Sequence, residues 1–141
     1  MGCDMYCAVE AHNKKTGSWD CFGVSTANRC YAMFSRIADV RNSEKENEYI
    51  EPIDEPRGWP VDASASAETW LENTALSFSK TWLDRAELES LDKWLQENHV
   101  CSLWKMLGFQ HLEYLFGIEH GWRKAAFTCY DGLRVLFFFA N

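Results

Sequence analysis

Arg29, Arg41 and Arg57 stand around a stretch that holds all three prolines of the chain. Guanidinium groups brought together there would clamp a phosphate or carboxylate through paired, charge-assisted hydrogen bonds. The competing reading is that each arginine neutralises an acid in its own neighbourhood. Cysteine chemistry offers less. The six cysteines (Cys3, Cys7, Cys21, Cys30, Cys101 and Cys129) allow 15 pairings, but they form no Cys-x-x-Cys pair and no Cys/His quartet with zinc spacing. Cys3 and Cys7 on a strand would lie about 13 Å apart, too far for a disulfide or a shared metal. The four histidines (His12, His99, His111 and His120) do not have the spacing that places two ligands on one helix face. His99 and Cys101 give two metal donors without a third. Dinucleotide, P-loop, zinc-protease, nucleophile-elbow and EF-hand patterns do not occur. These residues predict no bound metal and no cofactor, and no Ser or Cys is set apart as a nucleophile.

The elements that must position these groups are legible from periodicity. Residues 3–10 alternate, with Cys3, Met5, Cys7 and Val9 on one face and Asp4, Tyr6, Ala8 and Glu10 on the other, the signature of a strand with one buried face. Asn13 to Gly17 supplies a turn, and Trp19, Cys21 and Phe22 begin a second strand, which together make a hairpin. Cys30, Met33, Phe34, Ile37 and Val40 share one helical face, predicting a helix from about Arg29 to Val40 with Asn28 as its N-cap. The stretch 41–65 carries Pro52, Pro56 and Pro60 and reads as a long connection.

A short helix is expected over 66–73. Asp84 and Glu87 form an Asp version of the capping box ahead of a stripe of Leu88, Leu91, Trp94 and Leu95. Asn98 and His99 mark a break. Leu103, Met106 and Leu107 open another helix, interrupted at Gly108 and continued by Leu112, Leu115 and Phe116. Residues 119–130 fit either a helix face or the approach to a hairpin turn at Asp131-Gly132. Leu133 to Ala140 is apolar on both faces, as a central strand must be. The expected fold is a single α+β domain over 1–141. It has a small antiparallel or mixed sheet, built from the N-terminal hairpin and the C-terminal strand, covered by several helices in two layers.

Charge is distributed unevenly. The chain has 141 residues and a formal net charge of −7, and 15% of its residues are aromatic. Between Glu44 and Glu72 nine acids face only Lys45 and Arg57, a local net of −7, so the remainder is neutral. That segment is either a solvated loop or a surface for a basic partner. A sequence pI near 5.0 argues against direct nucleic-acid binding. The longest apolar run, Val135 to Ala140, is far short of the roughly 20 residues of a membrane helix. The opening lacks a secretory pattern, and Tyr6 stands where a myristoylation signal wants Ser or Thr. Reduced thiols in a cytoplasm are the expectation.

Several short motifs occur in order along the chain: Met1-Gly2-Cys3-Asp4-Met5-Tyr6, Asn28-Arg29-Cys30-Tyr31 with Phe34, Val40-Arg41-Asn42, Pro52-Ile53-Asp54-Glu55-Pro56-Arg57-Gly58, Ser79-Lys80-Thr81-Trp82-Leu83 before Glu87-Leu88, and Leu133-Arg134-Val135 with Phe137 to Asn141. As an ordered set they resemble a family of small phage and prophage proteins that begin Met-Gly-Cys-Asp-Ile-His. Members of that family tend to carry His where this chain has Tyr6, and a His-Ser-His-Ser segment where it has Leu76-Ser77-Phe78-Ser79. The resemblance implies that a metal site, if the family has one, is lost here, with only Asp4 left of the set. It implies a phage-type accessory protein in the cytoplasm of an infected host cell, binding and inhibiting a host protein such as a CRISPR or nucleotide-signalling defence component. The expected contact residues are Glu44, Glu46, Glu48, Tyr49, Glu51 and Trp59, facing a basic surface. The alternative groups Asp4, Tyr6, Arg29, Arg41, Asn42 and Arg57 around a small phosphorylated nucleotide, held or hydrolysed.

Overall fold

A computed structural model describes residues 2–42, 49–73, 76–99, 101–109 and 129–141. Its described residues form four strands and four helices: β1 (Asp4–Asn13), β2 (Trp19–Thr26), α1 (Tyr31–Ala38), α2 (Ala65–Glu72), β3 (Phe78–Asp84), α3 (Arg85–His99), α4 (Leu103–Leu107) and β4 (Tyr130–Ala140). The strands make one open antiparallel sheet in the order β2-β1-β4-β3. The expected α+β architecture is therefore present, with the last strand central and beside the hairpin.

The hairpin closes through Asn13, whose carbonyl accepts from Gly17 N at 2.8 Å and whose side chain accepts from Lys15 N at 2.9 Å. Gly17 sits at φ 72°, where a Cβ is disfavoured, which fits a glycine to this turn. One face of the sheet carries Met5, Cys7 and Val9 from β1 and Val135, Phe137 and Phe139 from β4. They pack against Phe34 and Ile37 of α1, Leu88, Leu91 and Leu95 of α3, and Leu103 and Leu107 of α4. The capping box forms as expected: Glu87 N donates to Asp84 Oδ1 at 2.9 Å and Asp84 N to Glu87 Oε1 at 3.1 Å.

Several boundaries differ from expectation. Helix α1 starts at Tyr31 rather than near Arg29, and its N-cap is Cys30 rather than Asn28. Ala27 N donates to Met5 O and Asn28 N to Met106 O, both at 2.9 Å, so these residues are still tied to β1 and α4 where the helix was expected to begin. The helix stops at Asp39, in the left-handed region at φ 58°. Strand β3 was not expected at all. Asp131 and Gly132 belong to β4 rather than to a turn. The expected continuation through Leu112, Leu115 and Phe116, and most of 119–130, lie outside the described residues.

The second face of the sheet is not left to solvent. Ala8 and Glu10, expected on the outer side of β1, are both fully buried. Ala67 of α2, Trp59 and Ala63 cover Ala8 and Leu136 there, and Tyr6 stacks on Phe138 with 5.0 Å between ring centroids. This accounts for the apolar character of β4 on both faces.

Candidate interaction surface

Residues 49–64 contain no helix or strand, yet they are fastened to the domain along their length. The Asn42 side chain behaves like a strand partner for Ile50, donating to its carbonyl at 2.6 Å and accepting from its N–H at 2.9 Å. Arg36 Nη1 donates to Glu51 O at 2.6 Å, and Ile53 N donates to Arg36 O at 2.8 Å. Arg57 pairs both terminal nitrogens with the Glu87 carboxylate, donates to Trp82 O at 2.9 Å and reaches Asp54 at 3.1 Å. Gly58, left-handed at φ 76°, turns its N–H onto Lys80 O at 2.8 Å. These last bonds satisfy outward carbonyls along the free edge of β3.

Further along, Trp59 Nε1 donates to Phe137 O at 3.0 Å, and its ring meets Phe138 edge-on. Arg134, only 4% exposed, donates to Glu10 at 2.7 Å, to the Asp62 carboxylate at 3.1 Å and to the Asp62 carbonyl at 3.3 Å. Glu10 uses its other oxygen to accept from Ser64 N at 2.7 Å, just ahead of α2. The Arg134 guanidinium also lies over the Trp19 ring at 3.8 Å. Two opposite charges inside otherwise apolar strand runs, Glu10 and Arg134, were the available sequence signal for this clamp.

The result is an ordered acidic surface that wraps the β3 edge, from α1 on one side of the sheet to α2 on the other. Glu51, Asp54, Glu55, Asp62, Glu68 and Glu72 are exposed. Arg57 is the one basic residue of 49–73, and it is committed to Glu87 and Asp54. Hydrogen bonds from Arg57 hold both of those carboxyls below the ordinary range, and Glu87 in turn helps raise the arginine. Of the expected contact residues, Tyr49 is 61% exposed and Glu51 is exposed, whereas Trp59 turns inward onto Phe138. Glu44, Glu46 and Glu48 lie outside the described residues.

The three arginines do not converge. Arg29 Nε donates to Asp4 Oδ1 at 2.7 Å, beside β1 where Asp4 faces Ala140. Arg57 binds the carbonyl of Trp82, which faces Leu136, four residues or about 13 Å along β4. Arg41 donates to the Asn141 side chain at 3.1 Å and lies over Tyr31. Both Arg29 and Arg41 act electrostatically on Cys3, so these two share a corner that Arg57 does not. Tyr6 is on the outer face between Phe138 and Trp70. Asn42 is occupied by Ile50 and Asp39.

Among the described residues no three His, Cys, Asp or Glu side chains come together as a metal-binding group. His111 and His120 lie outside those residues, and the His99 ring packs against Trp94. Of the positions that the phage resemblance would join in one site, Asp4 and Tyr6 belong to the outer face of the sheet. Phe78 instead packs on Phe139 in the main core, and Leu76 is exposed. No helix of the described residues is long and apolar enough to cross a membrane. No protein-family model, curated protein or solved structure matches the chain.

Proposed function

We propose that this is a non-enzymatic binding protein of the phage-accessory type, which inhibits a host protein, such as a component of a CRISPR or nucleotide-signalling defence, by docking its acidic 49–73 face on a basic surface. The observation that carries the reading is the fastening of that face. An acidic loop free in solvent would lose its conformational freedom on binding, and that entropy would count against affinity. Here Asn42, Arg36, Glu87, Phe137 and Arg134 already hold the segment before any partner arrives. Like-signed exposed carboxylates then supply steering and selectivity for a basic partner.

The test is capture from the soluble fraction of a bacterial host lysate with immobilised protein, followed by mass spectrometry. The same capture is run with Glu51, Glu55, Glu68 and Glu72 all changed to Lys. A specific protein retained by the wild type and lost by the charge-reversed form is expected. Equal retention by both forms refutes the acidic-face reading.

A second reading is a small phosphorylated ligand at the Arg29 and Arg41 corner, supported by the two guanidinium groups that border Cys3. A thermal-shift screen with nucleotides and cyclic oligonucleotides tests it. A true ligand at 100 times its Kd raises stability by about 2.7 kcal/mol, and a flat response across the screen rejects it.

A further inference from the structure

Two of the six cysteines come to neighbouring positions because α4 lies along the segment that leads into α1. A Cβ on Gly23 would stand 3.1 Å from the Phe109 ring. Two residues on, the Ser25 hydroxyl donates to Leu107 O, and Asn28 N then donates to Met106 O at 2.9 Å. The partner number falls as the residue number rises, so the two segments run antiparallel. Continued in the same sense, Cys30 falls beside the residues that open α4, which are Cys101 and Ser102. Leu103 N donates to Asp92 Oδ1 at 2.9 Å, fixing that opening on α3. In keeping with this placement, the charge of Cys30 acts on the Cys101 thiol together with those of Asp92 and Lys105. Both cysteines are partly exposed at the margin of the main core. The other four are set apart: Cys3 and Cys7 are fully buried, Cys21 packs on the outer face of the sheet, and Cys129 adjoins the hairpin turn through Lys14 N.

We infer that Cys30 and Cys101 are a redox pair, closed to a disulfide by oxidised glutathione and reopened by reduced glutathione. One cysteine thiolate attacks a glutathione sulfur and expels the first glutathione; the other attacks the cysteine sulfur so capped and expels the second. Two electrons pass to the glutathione disulfide, and the two cysteine protons end on the two released glutathione thiols. The bond needs Cα atoms within about 7 Å of each other. Cys30 and Ser102 are both extended, at φ −148° and φ −83°, so the leads into α1 and α4 can adjust without unwinding a helical turn. The loop closed by the bond spans about 70 residues and contains α2, β3, α3 and the acidic surface between them. It ties the start of α1, whose Arg36 holds Glu51 O, to the start of α4. Oxidation would thus tighten the frame of that surface, whatever the surface binds.

The test equilibrates the full chain with glutathione buffers, from fully reduced to fully oxidised, quenches it in acid and maps the thiols by peptide mass spectrometry. Loss of two thiols per chain, a linked Cys30–Cys101 peptide and a monomer on a non-reducing gel are expected. Closing a loop of this length should raise the melting midpoint by roughly 5–15 °C, and dithiothreitol should reverse the rise. C30S and C101S should show no such rise and should carry a single glutathione on the cysteine that remains. The peptide map of the wild type does not depend on how either variant folds. Glutathione adducts on both cysteines with no bond between them overturn the pairing, as does a bond from either one to another cysteine. A Cys30–Cys101 bond that leaves the midpoint unchanged overturns the tightening of the frame.

Discussion

Replacing Arg134 by Met removes a cation from the middle of the sheet and leaves the Glu10 carboxylate with no charged partner. Glu10 is fully buried and Arg134 is 4% exposed, with 2.7 Å between the bonded atoms, so solvent cannot take over the lost interaction. Breaking a buried pair from one side costs about 3–5 kcal/mol. Methionine occupies much of the volume of the arginine stem, so little of that cost comes from a cavity. With a urea slope of about 2 kcal/mol per molar, the unfolding midpoint should fall by roughly 2 M. That is a large part of the 5–15 kcal/mol typical of a whole domain. The companion change E10Q removes the uncompensated charge while leaving an oxygen to accept from Ser64 N. The double variant E10Q/R134M should therefore be more stable than R134M alone, by about 1–2 kcal/mol, which is the range in which contacting residues couple. Equilibrium urea titrations of the three variants and the wild type measure this. A loss below about 1 kcal/mol for R134M, or a further loss when E10Q is added, would show that the pair does not hold the sheet as described.

Two other outcomes follow from the charge and thiol environments. The Arg57 hydrogen bonds lower the Glu87 pKa from its ordinary 4.5, so this pair adds stability above that pH and loses it as pH falls through the depressed value. Thermal melts should show R57Q less stable than the wild type at neutral pH but with a flatter decline below 4.5, and an acid limb of unchanged steepness would contradict the pairing. Burial pushes the Cys7 thiol up to about 12, where it lies 3.2 Å from the Ser25 hydroxyl. Ellman's reagent at mildly alkaline pH should leave Cys7 unmodified in the native protein and label it after unfolding, as read by peptide mass mapping; labelling at the unfolded rate would place Cys7 outside the core.

What the sequence made legible was whatever depends on local period and local hydrogen bonding. The alternation of β1, the Asn13–Gly17 turn, the Asp84/Glu87 capping box and the break at His99 are all properties of a few consecutive residues. β4 was legible because the six consecutive apolar residues Val135 to Ala140 have few alternatives to a central strand. β3 was not, since its register shifts between Phe78 and Thr81 and Ser79 turns left-handed there, which destroys the two-residue period. The direction of Trp59 and the burial of Glu10 depend on Phe137 and Arg134, supplied from the far end of the chain, and no local pattern carries that. The arginines illustrate the same limit: each finds its partner through the register of the sheet, so proximity along the proline-rich stretch said nothing about convergence.

The ladder between β1 and β4 joins Asp4 to Ala140 and Asn13 to Tyr130, so the two central strands come from opposite ends of the sequence. On the ribosome, β1 and β2 emerge and can close their hairpin early, but the strand that completes the core arrives last. Until then Met5, Cys7 and Val9 have no sheet neighbour on one side, and α1 and α3 have only part of the surface they cover. Long-range closure of this kind slows folding, because chain entropy must be lost before the contacts that repay it form. Folding of this domain should therefore wait for β4, with nearly all of the cooperative stability appearing at once, and the waiting hairpin is the species that a nascent-chain chaperone would meet.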